Sequence, residues 1–183
     1  MTRVIKTALG FTVLLGGLLF GGAAFGQASP TSGTIKVWGI VNSGPSNKPT
    51  PVLVTGVIGD YGTVQTVNSS GKPDGNGNYF KLTLHKGTFT VNGRQFNAAF
   101  STAGNPPADY NSTTCTGSFP VGPVPVPAVS GTRAYAGISG SVNLTAEIAI
   151  LLPKTKSGSC NTGNNVNPLG FWGEVTGQGT VSY

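Results

Sequence analysis

Charge is scarce in this 183-residue sequence. Asp, Glu, Lys and Arg together make up 9% of it, against about a quarter in an ordinary globular protein. The formal net charge is +6, and the cations are scattered along the chain instead of forming a basic stripe with interleaved aromatic residues. The sequence therefore predicts no nucleic-acid partner.

Residues that serve catalysis and metal binding are also few. There is one histidine, His85, and there are two cysteines. A single histidine without a G-x-S-x-G motif argues against a Ser-His-Asp triad, and so few ligands argue against zinc. The segment 74–78, D-G-N-G-N, starts like a calcium loop but lacks the carboxylate that closes one. We therefore expect neither a metal nor a cofactor, and we place His85 at the surface.

Helical periodicity is missing from most of the chain. After residue 28, no segment repeats apolar residues at helical spacing for more than two turns, so residues 92–110 are predicted to be irregular. The sequence has instead 29 glycines and 13 prolines. Short alternating segments lie between them, which is typical of an all-β protein.

The one long uncharged segment lies at the N-terminus. Arg3 and Lys6 precede an apolar run from residue 8 to residue 25, and small residues follow as far as Ala28. This order of basic, apolar and small residues predicts a signal peptide over residues 1–28.

Two alternatives concern the same end of the chain. Cleavage after Gly26 would also fit the small residues, and the apolar run is close to the length of a membrane-spanning helix. Its glycines weaken such a helix, and no basic stop-transfer cluster follows it. After cleavage, residues 29–183 are predicted to form a single domain without a stable membrane span, secreted or held in the cell envelope.

The two cysteines, Cys115 and Cys160, are predicted to form one disulfide. An exported chain folds in an oxidising compartment, where two cysteines most simply pair with each other. Cys115 lies upstream of the longest predicted strand and Cys160 downstream of it, so the bridge would tie that strand to its neighbour.

That strand belongs to the segment 131–153, which begins as a glycine-rich turn. Tyr135 and Ile138 in the turn are predicted to plug one end of the core. The second half alternates apolar and polar residues with a period of two, which indicates a strand with one buried face. The apolar set is Val142, Leu144, Ala146, Ile148, Ile150 and Leu152, and the polar set is Asn143, Thr145 and Glu147.

Shorter segments of strand character occupy the rest of the chain. Residues 52–67 fit either one bent strand or a hairpin around Gly59-Asp60, and the prolines of 121–129 predict an edge strand or a polyproline-like ribbon. The other strand segments are 34–41, 79–91 (two strands), 113–119 and 171–183. Seven to nine antiparallel strands joined by short loops indicate a barrel or a sandwich.

The candidate catalytic residues come from five carboxylates. Glycoside cleavage would need two of them in one cleft. Asp60 and Glu147 lie within apolar strand sequences, whereas the others lie in loops or near the C-terminus. Solvated or turn-capping roles are the alternative for both. With Tyr135, Asp60 and Glu147 form the predicted polar set of any active site.

Several segments, in this order, carry a resemblance: K-L-T-L-H-K-G-T-F-T-V (81–91), T-T-C (113–115), G-T-R-A-Y-A-G-I-S-G-S (131–141) and then Cys160. The chain resembles exported actinobacterial proteins of the allene oxide cyclase and dirigent barrel type. Their usual G-T-G-x-Y-A-G-I-x-G segment is matched except that Arg133 replaces a glycine. The resemblance implies a closed antiparallel barrel of eight strands, a cavity for a small apolar molecule, and often a homo-oligomer.

The leading hypothesis is therefore an exported all-β barrel that binds a small hydrophobic ligand in its lumen. One alternative is an isomerase or cyclase acting on a lipid-derived or phenolic substrate, with Asp60, Glu147 and Tyr135 as its polar groups. Another is a non-catalytic structural or interaction protein of the cell envelope, which would use the proline-rich segment.

Overall fold

The computed structural model describes residues 31–42, 48–103, 109–163 and 166–183. The predicted signal peptide lies outside these ranges. Within them the chain forms nine strands and one helix: β1 (Ser32–Asn42), β2 (Thr50–Gly56), β3 (Asp60–Val67), β4 (Tyr79–Leu84), β5 (Gly87–Asn92), α1 (Arg94–Ala103), β6 (Asp109–Asn111), β7 (Thr116–Arg133), β8 (Ser139–Leu151) and β9 (Gly170–Ser182).

Eight strands form a closed antiparallel barrel. Each strand from β1 to β4 pairs with the next one, β5 pairs with β7, β7 with β8, and β8 with β9. The barrel closes where β9 pairs with β1, with Ser32 opposite Ser182. Short β6 adds to the start of β7. The predicted all-β fold is confirmed, and closure of the ring decides for the barrel against the sandwich.

The alternation predicted for the long strand is present in β8. Val142, Leu144 and Ile148 are buried in the core, whereas Asn143 and Glu147 are exposed. The period of two therefore identifies the face of β8 that points into the barrel.

The neighbouring strand β9 leaves room for these large side chains. Gly177 lies opposite Leu144. A Cβ atom on Gly177 would lie 2.5 Å from Cδ2 of Leu144 and 2.8 Å from Cγ1 of Val142. A larger residue at this position would therefore force the side chains of Leu144 and Val142 to shift from their positions in the interior.

The proline-rich segment lies in the middle of β7. Pairing of β7 with β6 ends at Ser118, and pairing with β5 begins at Ala128. Between these two residues, β8 is the one described strand that lies beside β7. The register with β8 shifts between Val121 and Val124. Proline has no N–H to offer a second neighbour, which suits this section. The edge-strand prediction thus describes this section, whereas residues 128–133 of β7 pair with β5 and close the barrel.

The prediction that residues 92–110 are irregular is wrong for α1. Phe96, Ala99, Phe100 and Ala103 lie at helical spacing and pack against the core, and the side chain of Asn92 accepts a hydrogen bond from the N–H of Arg94. A ten-residue helix is marginal alone, and packing on β7 stabilises it. In the described part of the chain, no helix is long and apolar enough to cross a membrane.

The predicted disulfide is present. Cys115 lies directly before β7 and Cys160 lies in the connection between β8 and β9, with their Cα atoms 5.3 Å apart. The N–H of Leu152 also donates to the carbonyl of Cys115. The bridge therefore fixes the long β8–β9 connection to the start of β7.

Candidate ligand-binding cavity

The barrel contains a cavity of about 570 Å³, a volume within the usual range of small-molecule sites. Inward side chains from several strands form its walls, and most of them are aliphatic. They include Val37, Val52, Leu82, Val91, Leu144 and Ile148. The alternation that makes the strands also makes this wall, because every second residue points inward.

One inward position of β1 is left open. Gly39 lines the cavity, and a Cβ atom there would have only ordinary contacts, 3.7 Å to the carbonyl oxygen of Pro51 and 4.0 Å to Val52. A larger side chain at this position would therefore extend into the cavity without displacing the backbone.

One end of the cavity has a polar rim. The connection before β2 contributes Lys48, the β3–β4 connection contributes Asn76 and Asn78, and α1 contributes Asn97 and Ser101. The amide of Asn97 donates a 2.9 Å hydrogen bond to the carbonyl of Gly77. This bond connects α1 to the β3–β4 connection across the rim.

Aromatic side chains of α1 complete the wall beneath this rim. Phe96 and Phe100 both line the cavity. Phe96 packs edge-on against Phe80 at 6.0 Å between ring centroids, and Phe100 packs edge-on against Phe119 at 5.7 Å. These contacts anchor the helix to the barrel at both of its aromatic positions.

The opposite end of the barrel is closed around Asp60 and Tyr135. The hydroxyl of Tyr135 donates a 2.6 Å hydrogen bond to Oδ2 of Asp60. The N–H of Lys86 donates to the same oxygen at 2.8 Å, and the N–H of Tyr61 donates to Oδ1 at 2.8 Å. Asp60 is 5% exposed and Tyr135 is 1% exposed, so the pair is shielded from solvent. As predicted, Ile138 also lies in this end of the core.

Burial and hydrogen bonding act on both titratable groups of this pair. Burial alone would raise the pKa of Asp60, but the hydrogen bonds from Tyr135, Lys86 and Tyr61 outweigh it and lower that pKa. Burial, and then the hydrogen bond to Asp60, raise the pKa of Tyr135. Asp60 is therefore held as a carboxylate and Tyr135 as a neutral hydrogen-bond donor.

A ring of Phe89 separates this pair from the cavity. Phe89 lines the cavity and packs edge-on against Tyr135 at 5.6 Å. Tyr183 also packs edge-on against Tyr135, with 5.4 Å between the ring centroids, and donates a hydrogen bond to the carbonyl of Val57. Neither Asp60 nor Tyr135 is among the described residues that line the cavity.

The third candidate, Glu147, lies elsewhere. It is exposed on the outer face of β8, where it lies opposite Glu174 of β9. The structure thus brings Asp60 and Tyr135 together and leaves Glu147 outside the barrel. A catalytic role for these three residues stays a prediction.

Histidine and metal-ligating groups do not gather at the cavity. His85 is exposed and its ring lies parallel to that of Tyr61, with the centroids 6.4 Å apart. Across the described ranges, no group of three or more His, Cys, Asp and Glu side chains could hold a metal ion.

Sequence reasoning missed the residues of the rim. Lys48 belongs to a segment of turn residues whose pattern gives no sign of facing a cavity. A signal did exist for α1, because Phe96, Ala99, Phe100 and Ala103 follow the i, i+3, i+4, i+7 pattern.

No protein-family model, curated protein or solved structure matches this chain. Membership of the allene oxide cyclase and dirigent type therefore stays an expectation based on the quoted motifs.

Proposed function

We propose that this protein is exported and binds one small apolar molecule inside its barrel. The observation that carries the proposal is the cavity of about 570 Å³ with aliphatic and aromatic walls. Apolar surface gains about 25 cal/mol for each Å² that leaves water, so a lumen of this kind favours a hydrophobic ligand. An eight-stranded barrel has an interior of the right width for one such molecule.

The difference between the two ends of the barrel supports one orientation of the bound ligand. Asp60, Tyr135 and Phe89 close one end with hydrogen bonds and ring contacts. The other end carries amides, hydroxyls and Lys48. A ligand would therefore place its apolar body towards Phe89 and any polar group at the rim, where water can still solvate it.

Export is supported by two independent features. The first is the order of basic, apolar and small residues over 1–28. The second is the disulfide between Cys115 and Cys160, because such bonds persist in oxidising compartments. Together they favour secretion or residence in the cell envelope.

Binding is favoured over catalysis by the chemistry of the wall. Among the described residues that line the cavity there is no carboxylate, histidine, cysteine or tyrosine. Asp60 and Tyr135 already satisfy each other and lie behind Phe89. An isomerase or cyclase would have to work with amides, hydroxyls and one lysine, which are weak acids and bases at neutral pH.

The test is a titration with N-phenyl-1-naphthylamine, an uncharged dye that fluoresces strongly in apolar surroundings. We expect the exported protein to bind the dye saturably, with one dye molecule per barrel. Gly39→Leu, which extends a side chain into the cavity, should weaken binding about tenfold or more, because the ligand and the new side chain compete for one volume.

The matched control is Thr34→Leu, which adds an apolar side chain at an exposed position of the same strand. It should leave the dye affinity within about twofold of wild type. Thermal melts establish that both variants are folded. If the dye does not bind, or if folded Gly39→Leu binds it as well as wild type, the lumen is not the ligand site and the proposal is wrong.

A further inference from the structure

The charge that lines the cavity has one sign. Lys48 is the one charged side chain among the described residues that form the wall and the rim. It lies two residues before β2, at the solvent-exposed edge of the cavity. The other polar groups around the rim are uncharged amides and hydroxyls, including Thr50, Asn76, Asn78 and Asn97.

No carboxylate of the described chain neutralises this lysine. All five acidic residues fall within the described ranges, and none of them makes an ion pair with Lys48 there. Asp60 lies at the closed end, and the remaining four are Asp74, Asp109, Glu147 and Glu174.

The acidic residue nearest to the rim in sequence is Asp74, which adjoins the lining residues Gly75 and Asn76. Its Oδ1 accepts a 3.0 Å hydrogen bond from the N–H of Asn76. Asp74 itself is not among the residues that line the cavity, whereas Lys48 is, so Lys48 is the charged side chain that a ligand in the cavity would contact.

An anionic group suits the rim and would be costly in the depth of the lumen. A charge among the aliphatic walls would lose its hydration without gaining a partner. At the rim it would keep contact with water, gain the attraction of Lys48, and accept hydrogen bonds from the neighbouring amides.

From this arrangement we infer the chemical class of the ligand: an amphiphile with an apolar body and one acidic group, whose anion lies beside the ammonium group of Lys48. The inference rests on the proposed function, since it concerns the same cavity. It adds the charge of the ligand, the end at which that charge is held, and the side chain that selects it.

Two dyes with the same ring system test the inference. 1-Anilinonaphthalene-8-sulfonate carries a sulfonate, and N-phenyl-1-naphthylamine does not. In the exported full chain, Lys48→Gln should weaken binding of the anionic dye roughly threefold to fivefold, as expected for a charge pair open to solvent. It should leave the affinity for the neutral dye unchanged. Raising the salt concentration should weaken binding of the anionic dye to the wild-type protein and have little effect on its binding to Lys48→Gln.

Lys36→Gln is the matched control, because it removes the same charge from an exposed site on the outer face of β1. It should not alter either affinity. Gly39→Leu should weaken both dyes, which establishes that the anionic dye occupies the lumen.

The outcomes separate the two proposals. If both dyes bind in the lumen and Lys48→Gln affects them equally or not at all, the acidic-ligand inference is wrong while the binding function stands. If neither dye binds in the lumen, both are wrong.

Discussion

At the scale of single residues, Asp60 joins three turns at one end of the barrel. It lies at the end of the β2–β3 turn, and it accepts hydrogen bonds from Lys86 in the β4–β5 turn and from Tyr135 in the β7–β8 turn. The ammonium group of Lys86 adds a 3.1 Å bond to the carbonyl of Gly59. These residues are distant in sequence, so one buried carboxylate holds together hairpins that the chain alone does not connect.

This role gives the stability of the barrel a defined pH dependence. The folded protein lowers the pKa of Asp60 below its ordinary value of 3.8. The folded state therefore binds fewer protons at this site than the unfolded chain does. The contribution of Asp60 is complete above the unfolded pKa and is lost as the pH falls through the folded pKa.

We predict that Asp60→Asn lowers the free energy of unfolding at pH 7 by about 2–3 kcal/mol, because a charged hydrogen-bond acceptor is lost. The difference from wild type should shrink below about pH 4, where protonation weakens the wild-type site. Urea unfolding at a series of pH values, with the disulfide intact, measures both effects.

Tyr183→Phe is the control for this prediction. It removes a hydroxyl that bonds to the neutral carbonyl of Val57, so its cost should stay constant over the same acidic range. If the unfolding free energies of wild type and Asp60→Asn changed in parallel with pH, the carboxylate of Asp60 would not be the group that stabilises this end of the barrel.

At the scale of elements, the strands were more predictable than their connections. The alternation of β8 was readable because a strand repeats one simple period. For residues 52–67 the sequence left a bent strand and a hairpin open, and the antiparallel pairing of β2 with β3 shows the hairpin. α1 was missed because its apolar pattern spans only ten residues between turn-like segments. The contact of α1 with β7 stabilises it, and no local pattern in the sequence shows such a contact.

The packing of β9 against β8 leads to a second prediction. Gly177→Ala should destabilise the barrel by about 1–3 kcal/mol, because its Cβ would overlap Leu144 and Val142. Gly39→Ala is the matched control on the adjacent strand. Its Cβ has only ordinary contacts, and it should be neutral or stabilising by up to about 1 kcal/mol. Equal shifts of the two melting temperatures would contradict this account of the β8–β9 interface.

At the scale of the whole molecule, the disulfide is a covalent cross-link between two distant parts of the barrel chain. It links positions 45 residues apart, and the loop between them contains all of β7 and β8. A cross-link of this span reduces the entropy of the unfolded chain, which is worth about 4 kcal/mol in the chain-entropy account.

The third prediction follows from that span. The double variant Cys115→Ser/Cys160→Ser should lose about 4 kcal/mol of unfolding free energy. Reducing agent should lower the unfolding free energy of the wild-type protein to that of the double variant, and it should leave the unfolding free energy of the double variant unchanged. If denaturant titrations showed a loss of unfolding free energy below about 1 kcal/mol, the disulfide would not stabilise the protein by reducing the entropy of the unfolded chain.

The candidate site was partly predictable at this scale. The expected resemblance predicted a cavity for a small apolar molecule, and the sequence singled out Asp60 and Tyr135 together with Glu147, which lies outside the barrel. The direct contact of Asp60 with Tyr135 across 75 residues was not foreseeable, and neither was the position of Phe89 between them and the cavity. Lys48 could not be recognised, because its importance depends on which strands surround it in the closed ring.

That ring also has a consequence for the order of biosynthesis. β1 finds its second neighbour only in β9, the final strand, which the N–H of Tyr183 and the carbonyl of Thr31 help to seal. Until β9 has been made, β1 and β8 each keep an open edge whose backbone groups can pair with another nascent chain.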